Sequence, residues 1–279
     1  MAHLAAEQAW PRKIVRTALT RIFVTSAATT ARALVMTVSA GRYIVVDLIR
    51  LRFPVQECLG QAWLLLTVTA FPAALMAVPF GAVLSMQAGG LLHDIGASSL
   101  AGAAAGMGIV RQGAPMAASL LMGGAASAAI ASDLGTRAIR EEVDAMKVMG
   151  VDPVQRLVAP RLLAMLIIAP IILATIIVVG VAAAFLVAVQ ISKVSPGSFW
   201  SSFGAFATTT DLYFALLKTM IGAALVAVIG SARGLEAKGG PRGVADAVNA
   251  AVVLSIVMIV FVALLLTQLQ TMFFPEQFA

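Results

Sequence analysis

What this chain lacks most is charge. Only 11% of its 279 residues are Asp, Glu, Lys or Arg, against about 25% in soluble domains. With 61% of residues hydrophobic, this excludes an ordinary soluble fold and defines an integral membrane protein. Cysteine is nearly absent. The single thiol, Cys58, excludes an intrachain disulfide, and its place at a helix start in FPVQECLGQAW reads as packing. The two histidines, His3 and His93, are far apart and have no neighbours at metal-ligand spacing. No GxxxxGK(S/T), HExxH or GxSxG run occurs, so the familiar nucleotide cradle, zinc-protease helix and serine elbow are excluded. Gly and Ala are plentiful inside the apolar runs, which suits close helix packing in lipid. The net charge of +6 calls for no nucleic acid, because basic residues mark the cytoplasmic loops of membrane proteins.

Residues 1–13 are polar. From Ile14, Val15, Ala18, Leu19 and Ile22 share one helical face, while Lys13, Arg16, Thr17 and Arg21 share the other. A basic amphipathic helix of this kind lies in the membrane interface. The same style continues to Arg52, and Pro54 ends it, so residues 1–54 form a tail and interfacial helix. No uninterrupted apolar core follows Arg12, Lys13 and Arg16, so no cleaved signal peptide is expected.

Five apolar segments of spanning length follow, at about 62–88, 107–131, 162–189, 212–232 and 250–272. Basic residues cluster before the first, between the second and third (Arg137 to Arg161), and between the fourth and fifth (Arg233, Lys238, Arg242). The alternate loops, 89–106 and 190–211, carry only Lys193 among their Lys and Arg positions. The expected topology has a cytoplasmic amino terminus and an outside carboxyl terminus.

The segment 133–161, DLGTRAIREEVDAMKVMGVDPVQRLVAPR, could not dissolve in lipid. Residues 137–150 read as one short amphipathic helix, with Ile139, Val143, Met146 and Met149 as an apolar stripe and an Arg140–Asp144 pair at i,i+4. Gly150 suits the end of this helix, and Asp152-Pro153 the start of the next. A Met-rich stripe outside the membrane suits a partner's groove.

Ionisable residues at membrane depth are costly. Arg111 lies near the outer end of the second span and Lys218 lies within the fourth; Asp94 and Asp211 lie at outer edges. Each cation either meets a lipid head group or a partner on the outer side, or is accounted for by snorkelling or an internal ion pair. Met76, Pro79, Phe80, Leu84 and Met86, in the outer half of the first span, would suit a flexible acyl chain or sterol, and equally well ordinary packing.

The run EEVDAMKVMGVDPVQRLVAPRLLA resembles the signature of the MlaE/YrbE family of ABC-transporter permeases. GIVRQGAP at 108–115, AAIASDLGT at 128–136, LLKTMIGA at 216–223 and GGPRGVADAVNAAVV at 239–253 extend the resemblance over roughly 60–275. The wording IREEVDAMKVMGVDP is most similar to the YrbE chains that accompany MCE proteins in actinobacteria. Many family members have Gly-Arg where this chain has Gly124-Ala125, and Gly-Val-Gly-Arg-Ala-Thr where it has residues 243–248.

The resemblance implies an all-α protein of the bacterial inner membrane, with the interfacial helix in 1–54 and a permease domain over 55–279 that holds five spans and a cytoplasmic coupling helix at about 137–150. It implies a soluble ABC ATPase beneath each of two permease chains, with ATP and Mg held in the ATPase and no cofactor in this chain. It further implies a second, different YrbE-type chain, an MCE assembly on the outer side, and import of fatty acids, sterols or related lipids. Arg140, Glu141, Glu142, Asp144 and Met146 are the expected ATPase contacts; Gly150, Asp152 and Pro153 fix the helix angle. Met76, Phe80, Leu84, Met86 and Arg111 are the expected lipid-pocket residues. No catalytic or metal-binding residue is expected. A passive scaffold that anchors the MCE proteins, or a secondary transporter, is the alternative reading. The latter would favour internal repeats and midplane charges.

Overall fold

The computed structural model describes residues 35–44, 46 and 55–273. The amphipathic pattern that begins at Ile14 lies outside the described residues. Among the described residues seven helices follow residue 54, and we label them in chain order. They are α1 (Val55–Asp94), α2 (Ser98–Ile139), α3 (Glu142–Val148), α4 (Val154–Gln190), α5 (Pro196–Phe206), α6 (Thr209–Leu235) and α7 (Pro241–Phe273). Five of these, α1, α2, α4, α6 and α7, are long and apolar enough to cross a membrane. They coincide with the five expected spans, and no strand occurs among the described residues. The chain is an all-α, multi-pass membrane protein.

In lipid the apolar surface of a helix gains little by leaving its surroundings, so association rests on close packing of small side chains. The chain shows this directly. α1 packs along the length of α4, and Gly81 sits so close that a β-carbon there would lie 2.1 Å from the Gly180 carbonyl oxygen. Gly102 of α2 likewise abuts the Phe199 carbonyl of α5. Gly123 is covered by the Ile259 side chain, whereas Gly124 faces open space. Met122, Ile130, Met165 and Ile168 fill the core toward α3; Ile109, Ile172, Ile176 and Phe199 fill it toward α5.

Two features differ from the sequence expectation. The segment 190–211 holds α5, an 11-residue helix capped by the Ser195 hydroxyl, which accepts from the Ser198 N–H. Its rings Phe199 and Trp200 pack with Phe185 of α4, and Phe203 packs on both of them. Ser-Pro-Gly at 195–197 was its signal. The second difference concerns the expected helix at 137–150, which is two pieces. α2 runs on to Ile139, Arg140 leaves helical geometry, and Glu141 takes a left-handed conformation at φ 61° before α3 begins.

α2 is not uniform. Gly106–Gly113 and Met122–Ala126 are wider π-helical turns. The Ala114 N–H donates to the Ile109 carbonyl, five residues back. Pro115 follows, and proline interferes with the carbonyl four residues before it. Widening the preceding turn accommodates that conflict and sets the direction of Arg111 and Gln112.

Candidate functional site

Two regions carry polar chemistry, one at each level of the bundle. The first surrounds α3. Its carboxyl end is closed by two hydrogen bonds, from the Gly150 N–H to the Lys147 carbonyl (3.1 Å) and from the Val151 N–H to the Met146 carbonyl (2.9 Å). This is the Schellman pattern, and Gly150 supplies the left-handed residue it needs, at φ 76°. The Asp152 carboxylate then accepts from the Val154 N–H at 2.8 Å and starts α4. Its other oxygen accepts from the Tyr43 hydroxyl at 2.7 Å. The helix over 35–44 is thereby tied to the α3–α4 turn. Gly150, Asp152 and Pro153 therefore lie in the turn that ends α3 and starts α4.

The side chains of α3 divide differently from the expected stripe. Val143 is buried in the protein's own core, and Met146 packs against it. Val148 and Met149 are 89% and 70% exposed, and Val151 is exposed beside them. The Arg140–Asp144 pair does not form, because the helix breaks between them. Arg140 instead meets Glu142 at 3.3 Å, and Lys147 donates to Asp144 at 2.8 Å. That bond from Lys147, with its charge, holds the Asp144 carboxyl below the usual carboxylate range.

Beneath this corner Arg161 of α4 is almost fully buried and pairs with Asp133 of α2; it also donates to the Leu157 carbonyl. The pair joins the helix that enters the α3 corner to the helix that leaves it. Asp133 also binds Arg137 at 3.3 Å. Sequence reasoning counted Arg161 only as a topology marker; the acid near the end of one span and the base at the start of the next were the available signal.

The second region lies toward α5. Arg111 is 6% exposed and makes a two-toothed contact with Asp211, Nε to Oδ1 at 2.8 Å and Nη2 to Oδ2 at 3.0 Å. Asp211 is also the third residue of a capping box with Thr208 at the start of α6. Of the readings open for Arg111, the structure realises an internal ion pair.

Next to this pair is a cavity of about 270 Å³ between α2, α6 and α7. Gln112, Met116, Ser119, Lys218, Leu264 and Thr267 are among its lining residues. Lys218 is 6% exposed and donates to the Gln270 Oε1 at 2.8 Å. The expected pocket residues on α1 are elsewhere. Phe80 and Leu84 cover Gly113 and Gly108, while Met76 and Met86 are exposed on the bundle surface. The amides and hydroxyls inside α2 and α7 were the sequence signal for the cavity, but their convergence depends on how the helices cross.

Five membrane-length helices, a stiff exposed corner at one end and a polar-lined cavity toward the other define a multi-pass membrane subunit of the permease class. Residues 58–269 match the family described as permease MlaE, and the chain belongs to that family. It is 28% identical over 179 residues to a probable ABC transporter permease protein of Synechocystis, covering 64% of this chain and 68% of that one. It is 27% identical over 174 residues to the intermembrane phospholipid transport system permease protein MlaE of Haemophilus influenzae, covering 62% and 67%. A chloroplast protein of Arabidopsis thaliana, trigalactosyldiacylglycerol 1, is 27% identical over 147 residues, covering 53% of this chain and 42% of that one.

Proposed function

We propose that this chain is the membrane-spanning subunit of an ATP-driven lipid transporter, coupled through α3 to a soluble ABC ATPase that binds ATP and Mg. The exposed tip of α3 carries the reading. Val148, Met149 and Val151 stand exposed beside Glu141, Asp144 and Lys147. A charged segment cannot enter lipid, and clustered apolar side chains outside lipid mark a protein contact. Val143 and Met146 root the helix in the bundle, so a push on the tip moves α2 and α4 with it. Arg140, Glu141, Glu142 and Asp144 form the polar rim of the contact.

The loops rich in Lys and Arg support a cytoplasmic α3 end, with the amino terminus on that side and the carboxyl terminus outside. A lipid cargo is supported by the Haemophilus influenzae relative named for intermembrane phospholipid transport. A second YrbE-type chain as dimer partner, an MCE assembly over the α5 end, and import of fatty acids or sterols complete the reading. The two places where family members often carry Arg and this chain does not, Gly124-Ala125 and residues 243–248, fit a pair of unlike chains that share the work between them.

The test is co-purification of the ATPase with wild-type, Met149→Asp and Glu141→Lys/Glu142→Lys chains, followed by ATP hydrolysis in lipid nanodiscs. The variants should insert normally and lose the ATPase, and the wild-type complex should hydrolyse ATP faster with cargo lipid present. Undiminished ATPase binding in both variants would sink the contact. ATP hydrolysis indifferent to every lipid would favour a scaffold over a transporter.

A further inference from the structure

We propose that the cavity between α2, α6 and α7 is a binding site for the anionic head of a single-chain amphiphile, with Lys218 as its anion receptor. The inference rests on the lipid-transport reading and names the chemistry of its cargo. Lys218 is the one charged residue lining the cavity; the rest of the lining is apolar or neutral polar. Its described hydrogen-bond partner is neutral Gln270. No described carboxylate lies within ion-pair distance of it. Arg111 of α2 and Asp211 of α6 are already committed to each other. The cavity therefore carries one uncompensated positive charge in a setting where charge is expensive. A buried cation of this kind is stabilised by an anion that brings its own counter-charge.

Size and shape narrow the class. The cavity, about 270 Å³, falls just below the range of ordinary small-molecule pockets. It holds a head group and the first part of one chain, not two chains. Ser119 and Thr267 offer hydroxyls and Gln112 an amide for the oxygens of a head group. Gln270, which accepts from Lys218, keeps a buried Nε2 without a described partner. Met116 and Leu264 line the cavity and are also exposed on the bundle surface, so a chain that begins inside can leave between α2 and α7. A neutral sterol would leave Lys218 uncompensated; an anionic amphiphile would not.

The shared chemistry is an oxyanion on a single chain, and it can come from a carboxylate or from a phosphate. The complex purified with its natural neighbours, in nanodiscs of neutral phosphatidylcholine, is irradiated with a photoactivatable fatty acid. Crosslinked peptides are mapped by mass spectrometry. Crosslinks are expected on α2 and α7 around Met116 and Leu264. Lys218→Met should reduce their yield at least tenfold, and Lys218→Arg should keep it within about threefold. Ala263→Phe, which fills the cavity and keeps the charge, should also abolish them. Oleate or lysophosphatidate should compete. Stronger competition by oleate assigns a carboxylate head, stronger competition by lysophosphatidate a phosphate. Cholesterol should not compete. Wild-type yield in Lys218→Met, with an unchanged gel-filtration profile, overturns the proposal, as does displacement by cholesterol as effective as by oleate. Crosslinking needs no ATPase, so loss of ATPase coupling with the crosslinks intact would count against the transport reading and leave this site standing.

Discussion

At the scale of single residues, two positions show how context fixes meaning. Arg111 is at home in the membrane because Asp211 meets both of its arms. Removing one partner leaves the other charge buried and unpaired, which costs about 3–5 kcal/mol. Arg111→Ala and Asp211→Ala should each lower the thermal unfolding midpoint of the detergent-solubilised protein sharply. The double variant should recover part of the loss, since it strands no charge. Arg111→Lys should rescue poorly, as an ammonium cannot reproduce the two-toothed contact. Equal midpoints for all of these and wild type would show the pair to be structurally idle. Glu141 is the second position. A β-carbon in the left-handed region costs about 1–2 kcal/mol. Glycine relieves that strain and adds about 0.5–1 kcal/mol of chain entropy to lose, so Glu141→Gly should leave stability nearly unchanged. Glu141→Val, branched at the β-carbon, should lower it. The two variants measured together separate the backbone role of this residue from any contact its carboxylate makes.

At the scale of elements, the corner around α3 is a short helix held at both ends. Gly150 is left-handed and closes it, and Asp152 starts α4. Gly150→Val should loosen the corner, and lipid-stimulated ATP hydrolysis should fall more than ATPase binding does, because the contact survives while its angle is lost. Equal losses in both would place Gly150 in the contact itself. The Asp144–Lys147 bond adds a pH signature. Its carboxyl is held below the usual range in the folded state, so it stabilises α3 above the unfolded value, and that contribution disappears as pH falls through the depressed one. Amide exchange over 142–148, corrected for intrinsic rates, should therefore be flat near neutrality and lose protection only in acid. Lys147→Ala should remove that acid step. Both groups are well exposed, so the effect is small.

At the scale of the whole molecule, α1 and α4 act as one slab because two glycines meet back to back. Gly81→Leu must push Gly180 backbone aside; backbone yields far less readily than a side-chain tip, so loss of folded protein is expected by fluorescence size exclusion. The sidedness of the bundle is testable with cysteines. Cys58 is buried, so its replacement by Ala gives a silent background. A cysteine at Gly197, exposed at the start of α5, should react with an impermeant thiol reagent in intact cells, and one at Lys238, exposed between α6 and α7, should not. Labelling of the Lys238 site from outside would contradict the proposed topology.

Sequence by itself determined the class, the five spans and the charged corner. Each rests on a local quantity: run length against membrane thickness, scarcity of charge, and the dipeptides that start and stop helices. Gly150 and Asp152-Pro153 were legible because a left-handed residue and a helix cap are decided within a few positions of the chain. Tertiary structure alone decided the rest. The break at Arg140–Glu141 left the 137–150 pattern intact as a pattern, yet divided its stripe between the protein's own core and its exposed tip. Arg111 found Asp211, and Asp133 found Arg161, across distances in sequence that no local rule spans. Phe80 and Leu84, rich in apolar surface, went to fill the space left by Gly113 and Gly108, while the cavity formed where α2, α6 and α7 cross. A span tells which residues meet lipid depth; only the crossing of spans tells which of them face one another, because in a membrane every apolar face is acceptable until close packing chooses one.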